Sequence, residues 1–321
     1  MLRRFLGRRG DPAAAPATGR DLARAVDSLR AEIAQSRQRM EEAIAYFAGR
    51  SNPHHYAPAI PLGGHVVLGL LEGRYPMYLD SRGSDVAPHI MLFGIWEANY
   101  TAVFKRLVRP GDTVFDIGSH LGVYTLLGAA AAGPTGRVHA FEPNARFATL
   151  LGRSISVNGF SGYTQVHNHA VGAEEGTTEL RYSWEYAGGG HLAIGLGDRP
   201  AELTAQRCRV APLDALFPDP DFTVDVVKMD VEGTESFALR GMWNLLARSP
   251  RVRVMFEFAP GMLASHGSGA AELIGLFTGL GFRFWTMDAD ASLAEASPDE
   301  LAARPDGVAN ILASRGDPIE G

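Results

Sequence analysis

Residues 113–126 read TVFDIGSHLGVYTL, and this stretch decides the fold. Val114, Phe115 and Ile117 form the short apolar run of a strand buried on both faces, with Asp116 at its end. Gly118 and Gly122 then frame a tight turn into an alanine-rich helix from about Val123 to Ala132. Strand, glycine turn and helix belong to an open α/β sheet, whose ligands bind beyond the carboxyl ends of the strands. A dinucleotide-binding loop would read G-x-G-x-x-G, its second glycine letting a pyrophosphate reach the backbone. Here those places hold His120 and Val123, whose side chains would crowd a diphosphate. The loop instead reads D-x-G-x-x-x-G.

Such a loop suits a ligand with a cationic amino group and no phosphates, and S-adenosylmethionine is of that kind. Arg137–Phe141 reads as the second strand and runs into Glu142, twenty-six residues after Asp116. An acid there accepts hydrogen bonds from both ribose hydroxyls and repels a 2′-phosphate. Asp116 and Glu142 also read, more blandly, as two helix caps. The third strand, Gln165–Val171, ends at Asn168-His169-Ala170-Val171, where an adenine would sit. His169 and Ala170 are therefore cofactor-binding candidates, although His169 reads equally well as packing.

Outward from this stretch, strand-like and helix-like segments alternate, as in a mainly parallel sheet covered on both faces. His65–Leu71 and Pro76–Asp80 read as an entry hairpin, followed by a helix over 96–108 and another over Asn144–Asn158. Thr178–Ser183 with Ala205–Pro212 reads as a hairpin excursion, and Asp225–Met229 as the next strand before a helix at Thr234–Leu246. Val252–Phe258, a helix at Ala270–Gly279, Phe282–Met287 and Asn310–Ser314 finish the sheet.

The segments VFDIGSHLGVYTLLGA, AFEPN, VVKMDVEGTE and VMFEF, in that order, resemble the FkbM-type S-adenosylmethionine-dependent methyltransferases. Gly94-Ile95-Trp96-Glu97 and Arg109-Pro110-Gly111-Asp112 match the lead-in of that family, and the likeness runs from about Pro76 to Arg315. The resemblance implies a Rossmann-like class I methyltransferase fold: α/β, a mainly parallel seven-stranded sheet with helices on both faces. It implies S-adenosylmethionine as cofactor and O-methyl transfer to a sugar, glycan or other secondary-metabolite hydroxyl. The cofactor-binding set is then Glu97, Asp116, Gly118, Gly122, Glu142, His169, Ala170 and Asp230. One departure stands out: the family loop commonly carries Asn or a small residue where this chain has His120.

A sugar hydroxyl is a poor nucleophile at neutral pH and needs its proton removed in the transition state. The catalytic candidates are Asp230, His191 and Glu257. Asp230 follows the strand through Met229, and residues at even spacing would put Lys228, Asp230 and Glu232 on one face if the extended geometry persisted. The bland reading is a structural salt bridge to Lys228. His191 closes the loop Gly188-Gly189-Gly190, where it is a base or an incidental surface histidine. Glu257 ends the strand Val252–Phe258, while Glu235 suits the first turn of a helix. Glu97 and Tyr100 would close over the methionine part of the cofactor, with Tyr100 otherwise core. Asp230, Glu232 and Glu257 are oxygen ligands that would suit magnesium, but nothing requires a divalent metal and no metal ligand is assigned. Trp96, Trp184, Tyr182, Tyr186 and Trp285 are platforms for a sugar ring or simply core. An N-methyltransferase, a nicotinamide oxidoreductase and a catalytically idle cofactor-binding scaffold are the alternatives.

The whole chain is 321 residues with 46% hydrophobic and 21% charged residues, the balance of a globular protein. Its 37 glycines show no three-residue period, and the lone Cys208 builds neither a disulfide nor a cysteine metal site, so the cytoplasm is expected. Residues 1–50 carry ten arginines against six acids, which leaves twenty bases against thirty acids elsewhere. So acidic a body predicts no nucleic-acid partner. No run reaches the roughly 18 apolar residues of a membrane span. Residues 1–20 read as a flexible basic lead-in, whose MLRRFLGRRG allows peripheral contact with an anionic membrane. In 21–49, Leu22, Val26, Leu29, Ile33, Ser36, Met40, Ala43 and Phe47 recur at a 3.5-residue average, a coiled-coil seam weakened by Ser36 and Ala43. It predicts a homo-oligomer through 21–47, or a helix lying on its own domain. Residues 50–61 read as linker and 62–321 as the methyltransferase domain.

Overall fold

Successive residues of a strand point to opposite sides of a sheet, so an all-apolar strand needs cover on both. The computed structural model describes residues 59–184, 190–192 and 203–316. Its central sheet contains β1 (Thr113–Ile117), β2 (Arg137–Phe141), β3 (Thr164–His167), β4 (Val226–Met229), β5 (Arg253–Phe258), β6 (Arg283–Met287), β7 (Leu293–Ala296) and β8 (Ala309–Ser314). They lie in the order β7-β6-β8-β5-β4-β1-β2-β3. β3, β2, β1, β4 and β5 run parallel, and β8, β6 and β7 join through antiparallel pairings. The expected Rossmann-like, mainly parallel α/β sheet is present, with eight strands rather than seven. The extra strand, β7, is a four-residue edge whose sequence LAEA lacks the β-branched signature of a strand. Strand order reverses between β1 and β4, the switch point beside which ligands bind.

Helices α1 (Val86–Phe93), α2 (Ala98–Leu107), α3 (Val123–Ala132), α4 (Ala145–Val157), α5 (Glu235–Gly241) and α6 (Trp243–Ala247) include those that frame this point. Val114, Val138, Val226 and Met255 join α2 and α3 in one apolar core. Phe115, Ile117, Phe141, Val227, Met229 and Phe256 belong to a second. Alternation therefore assigns Asp116, Lys228 and Glu257 to the α2–α3 side, and the β1–β4 register sets Lys228 directly beside Asp116.

Four sequence expectations change. α1 was not expected, yet Asp85 caps it by accepting from Val86 N at 2.7 Å and Gly94 ends it in a left-handed conformation. The strand expected at Gln165–Val171 divides, Thr164–His167 staying in the central sheet while Ala170–Val171 pairs with Thr204–Ala211 in a smaller one. Asn168 forces the break by donating its side-chain amide to the carbonyls of Glu142 (2.8 Å) and Pro143 (3.2 Å). The helix expected at Thr234–Leu246 divides into α5 and α6 at Met242, next to Gly241, which packs against the carbonyl of Gly172. The entry hairpin gains a third strand, so Ile60–Gly63, Val66–Leu71 and Tyr75–Asp80 form an antiparallel sheet. It rests on α4 through Tyr78 N donating to Ser154 Oγ at 2.9 Å.

The chain divides into two units, Met1–His55 and Tyr56–Gly321. The expected lead-in at 1–20, the helix at 21–49 and all of the linker up to residue 58 lie outside the described residues. So do Tyr186, Gly188 and Gly189.

Gly118 is the tightest point of the site-forming turn. Its φ is +75°, and a Cβ there would lie 1.8 Å from the carbonyl oxygen of Asp230. Gly118→Ala should therefore lower unfolding free energy by about 2–4 kcal/mol, combining left-handed strain with a backbone clash. Urea denaturation of the full chain checks this, and a loss below about 1 kcal/mol contradicts the packing described.

Candidate active site

The turn after β1 is held by backbone donors. Gly118 N and Ser119 N both donate to the Phe141 carbonyl, at 3.0 and 3.1 Å. His120 N donates to Glu142 Oε2 and Asn144 N to Glu142 Oε1, both at 2.7 Å. Glu142 is buried at the tip of β2, and burial pushes its carboxyl up to about 7 despite those two donors. The two turn elements expected from sequence are thus joined directly: the loop of β1 grips the acid of β2.

Asp116 is wholly buried within β1 and does not open as a strand-end carboxylate. Thr125 Oγ1 donates to its Oδ2 at 2.5 Å, and its Oδ1 has no hydrogen-bond donor. Burial raises its pKa, while the Lys228 ammonium, 3.7 Å from Oδ1, pulls the other way. Lys228 also stands 3.5 Å from Asp230 and donates to the Gly118 carbonyl at 3.0 Å. Burial opposes the ammonium's charge, but Asp230, Asp116 and Glu97 outweigh it and hold Lys228 above the ordinary amine range.

Strand geometry ends at Met229, where Asp230 N still donates to the Ile117 carbonyl. Glu232 then takes a left-handed φ of 54° and Gly233 one of 95°. Glu232 therefore reaches Asp230 through a turn and not through the strand alternation expected for Lys228, Asp230 and Glu232. Carboxylate oxygens of Asp230, Glu232 and Glu257 all lie within 4.8 Å of one another. Burial, then the charge of Asp230, pushes Glu232 up to about 9 and Glu257 up to about 8. Glu235 accepts from Gly233 N (3.2 Å) and Val231 N (3.4 Å) in the first turn of α5, as its position suggested.

Glu97 enters from the other side. It precedes α2 in a left-handed conformation and accepts from Tyr124 OH at 2.8 Å. Burial first, then Asp230, raises its carboxyl. Tyr100 is core, edge-on to Tyr124 with centroids 5.2 Å apart. Tyr124, the second residue of α3, was missed from sequence, although it follows directly on the glycine turn.

His169 is buried with Nδ1 3.1 Å from the Ala170 carbonyl and its ring tilted on Phe141, and burial lowers its pKa. Ala170 is core. His191 lies in a two-residue strand opposite Arg181, and its side chain is outside the described residues. Trp285 is buried, whereas Trp184 is half-buried with the Arg82 guanidinium 3.3 Å above its ring.

A mainly parallel sheet with a glycine turn at its switch point, a buried acid after β2 and carboxylates at the ends of β4 and β5 is a Rossmann-like arrangement. The family model described as the methyltransferase FkbM domain matches residues 116–284, and the chain belongs to that family. Among solved structures it is similar to a SAM-dependent O-methyltransferase from Thermotoga maritima, at 15% identity and a TM-score of 0.38. That match covers 68% of this chain and 65% of the Thermotoga protein. A SAM-dependent methyltransferase from Aquifex aeolicus matches at 12% identity and TM-score 0.37, over 67% and 88% of the two chains. A precorrin-6y C5,15-methyltransferase from Geobacter metallireducens matches at 9% identity and TM-score 0.38, over 68% and 87%. No curated protein matches the chain. No helix among the described residues is long and apolar enough to cross a membrane.

The raised carboxyls have a consequence for stability. Glu232 and Glu257 bind protons more tightly in the native chain than at their ordinary value of 4.5. Between about pH 4.5 and 9 the native state thus holds more protons than the unfolded chain, and stability falls as pH rises. Glu232→Gln should flatten that fall, bringing the melting temperatures at about pH 5 and pH 9 closer together than in wild type. An unchanged gap between the two melts contradicts the burial and repulsion described.

Proposed function

We propose that the chain transfers a methyl group from S-adenosylmethionine to a hydroxyl of a sugar, glycan or related polyol. The observation that carries the cofactor assignment is the crowding of Glu97, Asp116, Asp230, Glu232 and Glu257 around the single ammonium of Lys228, where Glu232 and Glu257 hold protons that an arriving cation would displace. A phosphate would be repelled there, whereas a sulfonium and an ammonium are attracted. The pinned carboxylate of Glu142 adds an acceptor for hydroxyl groups. The residues therefore fit S-adenosylmethionine, which when bound supplies an electrophilic methyl on a cationic sulfur.

Glu142 would hold the ribose, with Gly118 and Gly122 giving the close turn beneath it. Asp116 would act through Lys228, which fixes Asp230 and the Gly118 carbonyl. Glu97 and Asp230 would receive the methionine end, and Asp230 with Glu257 would position the acceptor. Holding acceptor and methyl in line in a dry cleft supplies much of such a reaction's rate. His169 and Ala170 would flank the adenine, and His191 stands as a base candidate on sequence grounds. Self-association through residues 21–47 rests on their apolar spacing, and a cytoplasmic setting on the lone Cys208, whose buried thiol is pushed up to about 11. A divalent metal is not part of the proposal.

Two results test this reading. With methyl-labelled S-adenosylmethionine, label should appear as an O-methyl ether on a hydroxylated acceptor; label on amine nitrogens instead would mark an N-methyltransferase. Asp230→Asn should lower kcat/KM by about 10²–10³, the typical cost of removing one preorganised electrostatic group. An effect below threefold removes Asp230 from the site.

A further inference from the structure

The acid cluster continues across the sheet into β8. This strand pairs antiparallel with β5, so it enters the sheet at the edge where β4 and β5 end. Its second residue, Asn310, is the register partner of Glu257. Directly opposite residues of an antiparallel pair project to the same face, with β-carbons about 5 Å apart. Asn310 therefore stands beside Glu257 on the α2–α3 side, in line with Lys228 and Asp116. Two residues on, Leu312 faces the same way and is wholly buried, and its register partners Met255 and Trp285 are buried with it. The face is closed by apolar side chains up to Leu312 and turns polar at Asn310.

The fold itself does not use that amide. Asparagine is depleted in strands, and an apolar residue would continue the packing of Leu312. Asn310 is half-buried, and so are Glu257 and Met287, the last residue of β6. Neither the Asn310 amide nor the Glu257 carboxyl has a hydrogen-bond partner among the described residues. α2 is fastened over this end of the sheet: Asn99 Nδ2 donates to the Asp288 carbonyl at 3.4 Å, and Arg106 donates to the Ala291 carbonyl. Both carbonyls belong to the turn between β6 and β7. Burial, Asp230, Glu235 and then Glu97 raise the Glu257 carboxyl, so the head of α2 lies within electrostatic reach of the same spot.

We propose that Asn310 binds the methyl acceptor: Glu257 holds the reacting hydroxyl, and the Asn310 amide holds the polar group next to it. The inference rests on the methyltransferase reading above and adds the residue that orients the acceptor. A hydroxyl held at one point still swings, whereas a second contact fixes the line along which its oxygen meets the methyl, and in-line displacement depends on that alignment. An amide offers one acceptor oxygen and two donor hydrogens without charge. It therefore gives direction where another carboxylate would only add repulsion to Asp230, Glu232 and Glu257. Met287, at the same edge, supplies apolar contact for the carbon skeleton. Asn310 and Met287 both follow residues 116–284, the span of the family match, so the acceptor's place is completed from outside that span.

The test uses the full chain, methyl-labelled S-adenosylmethionine, and methyl glycosides of glucose, mannose, galactose and rhamnose as probes. Wild type should label at least one glycoside. Asn310→Leu, which keeps the side chain's size, should lower kcat/KM for that glycoside about tenfold, the effect of one lost hydrogen bond. Its dissociation constant for S-adenosylmethionine, read by calorimetry, should stay within about threefold of wild type, with the melting temperature unchanged. Asn310→Gln keeps the amide and should recover part of the loss, a rescue that a packing role would not give. Three results overturn the proposal: kcat/KM of Asn310→Leu within about threefold of wild type, a loss traced to weaker cofactor binding or to unfolding, or no rescue in Asn310→Gln. A wild type that binds S-adenosylmethionine yet labels none of the four glycosides overturns the hydroxyl-acceptor reading and this inference with it. Failure to bind S-adenosylmethionine at all overturns the cofactor assignment beneath both.

Discussion

The site depends on one buried ammonium. Lys228 is 4% exposed and touches three things at once: the Asp116 carboxylate of β1, the Asp230 carboxylate after β4, and the carbonyl of Gly118 in the turn between them. Parallel pairing of β1 with β4 makes that meeting compulsory, because Lys228 and Asp116 are register partners on the same side. Stripping one partner from a buried ion pair costs about 3–5 kcal/mol, since the other charge is left in a poor solvent. The contact therefore anchors both the crossing of the two strands and the geometry of the cleft above it.

A single ammonium does not balance the acids around it. Glu232 and Glu257 respond by holding protons, and Glu97 is raised in the same sense. In this state Glu232 and Glu257 are neutral, and the cleft keeps a reserve of acids that can ionise when a cation arrives. A ligand that brings positive charge relieves the repulsion that burial enforces. Binding and folding thus draw on the same charges.

Local patterns were legible in the sequence wherever neighbouring residues decide them. Val114 to Ile117, the glycine turn and α3 follow from apolar runs and turn chemistry, and α3 falls at Val123–Ala132 as expected. The gathering of Asp230, Glu232 and Glu257 at one edge was also readable, because Asp230 and Glu232 follow the end of β4 and Glu257 is the next-to-last residue of β5. Register was not readable. Nothing in VVKM or TVFD says that Lys228 pairs with Asp116, so that acid looked open when it is enclosed. The break at Asn168 depends on carbonyls twenty-five and twenty-six residues away. His120 lies beside Asp80 and Asp85 from one connection and Trp184 from another segment, which tertiary packing alone brings together. β7 stayed hidden because a short edge strand needs little β-propensity when its partner is already in place.

The central claim is that this cleft is built for a cationic, phosphate-free cofactor. Calorimetric titration of the full chain with S-adenosylmethionine and, separately, with NADH tests it most directly. The account predicts saturable binding of S-adenosylmethionine and none of NADH over the same concentrations. Tighter binding of NADH would contradict it.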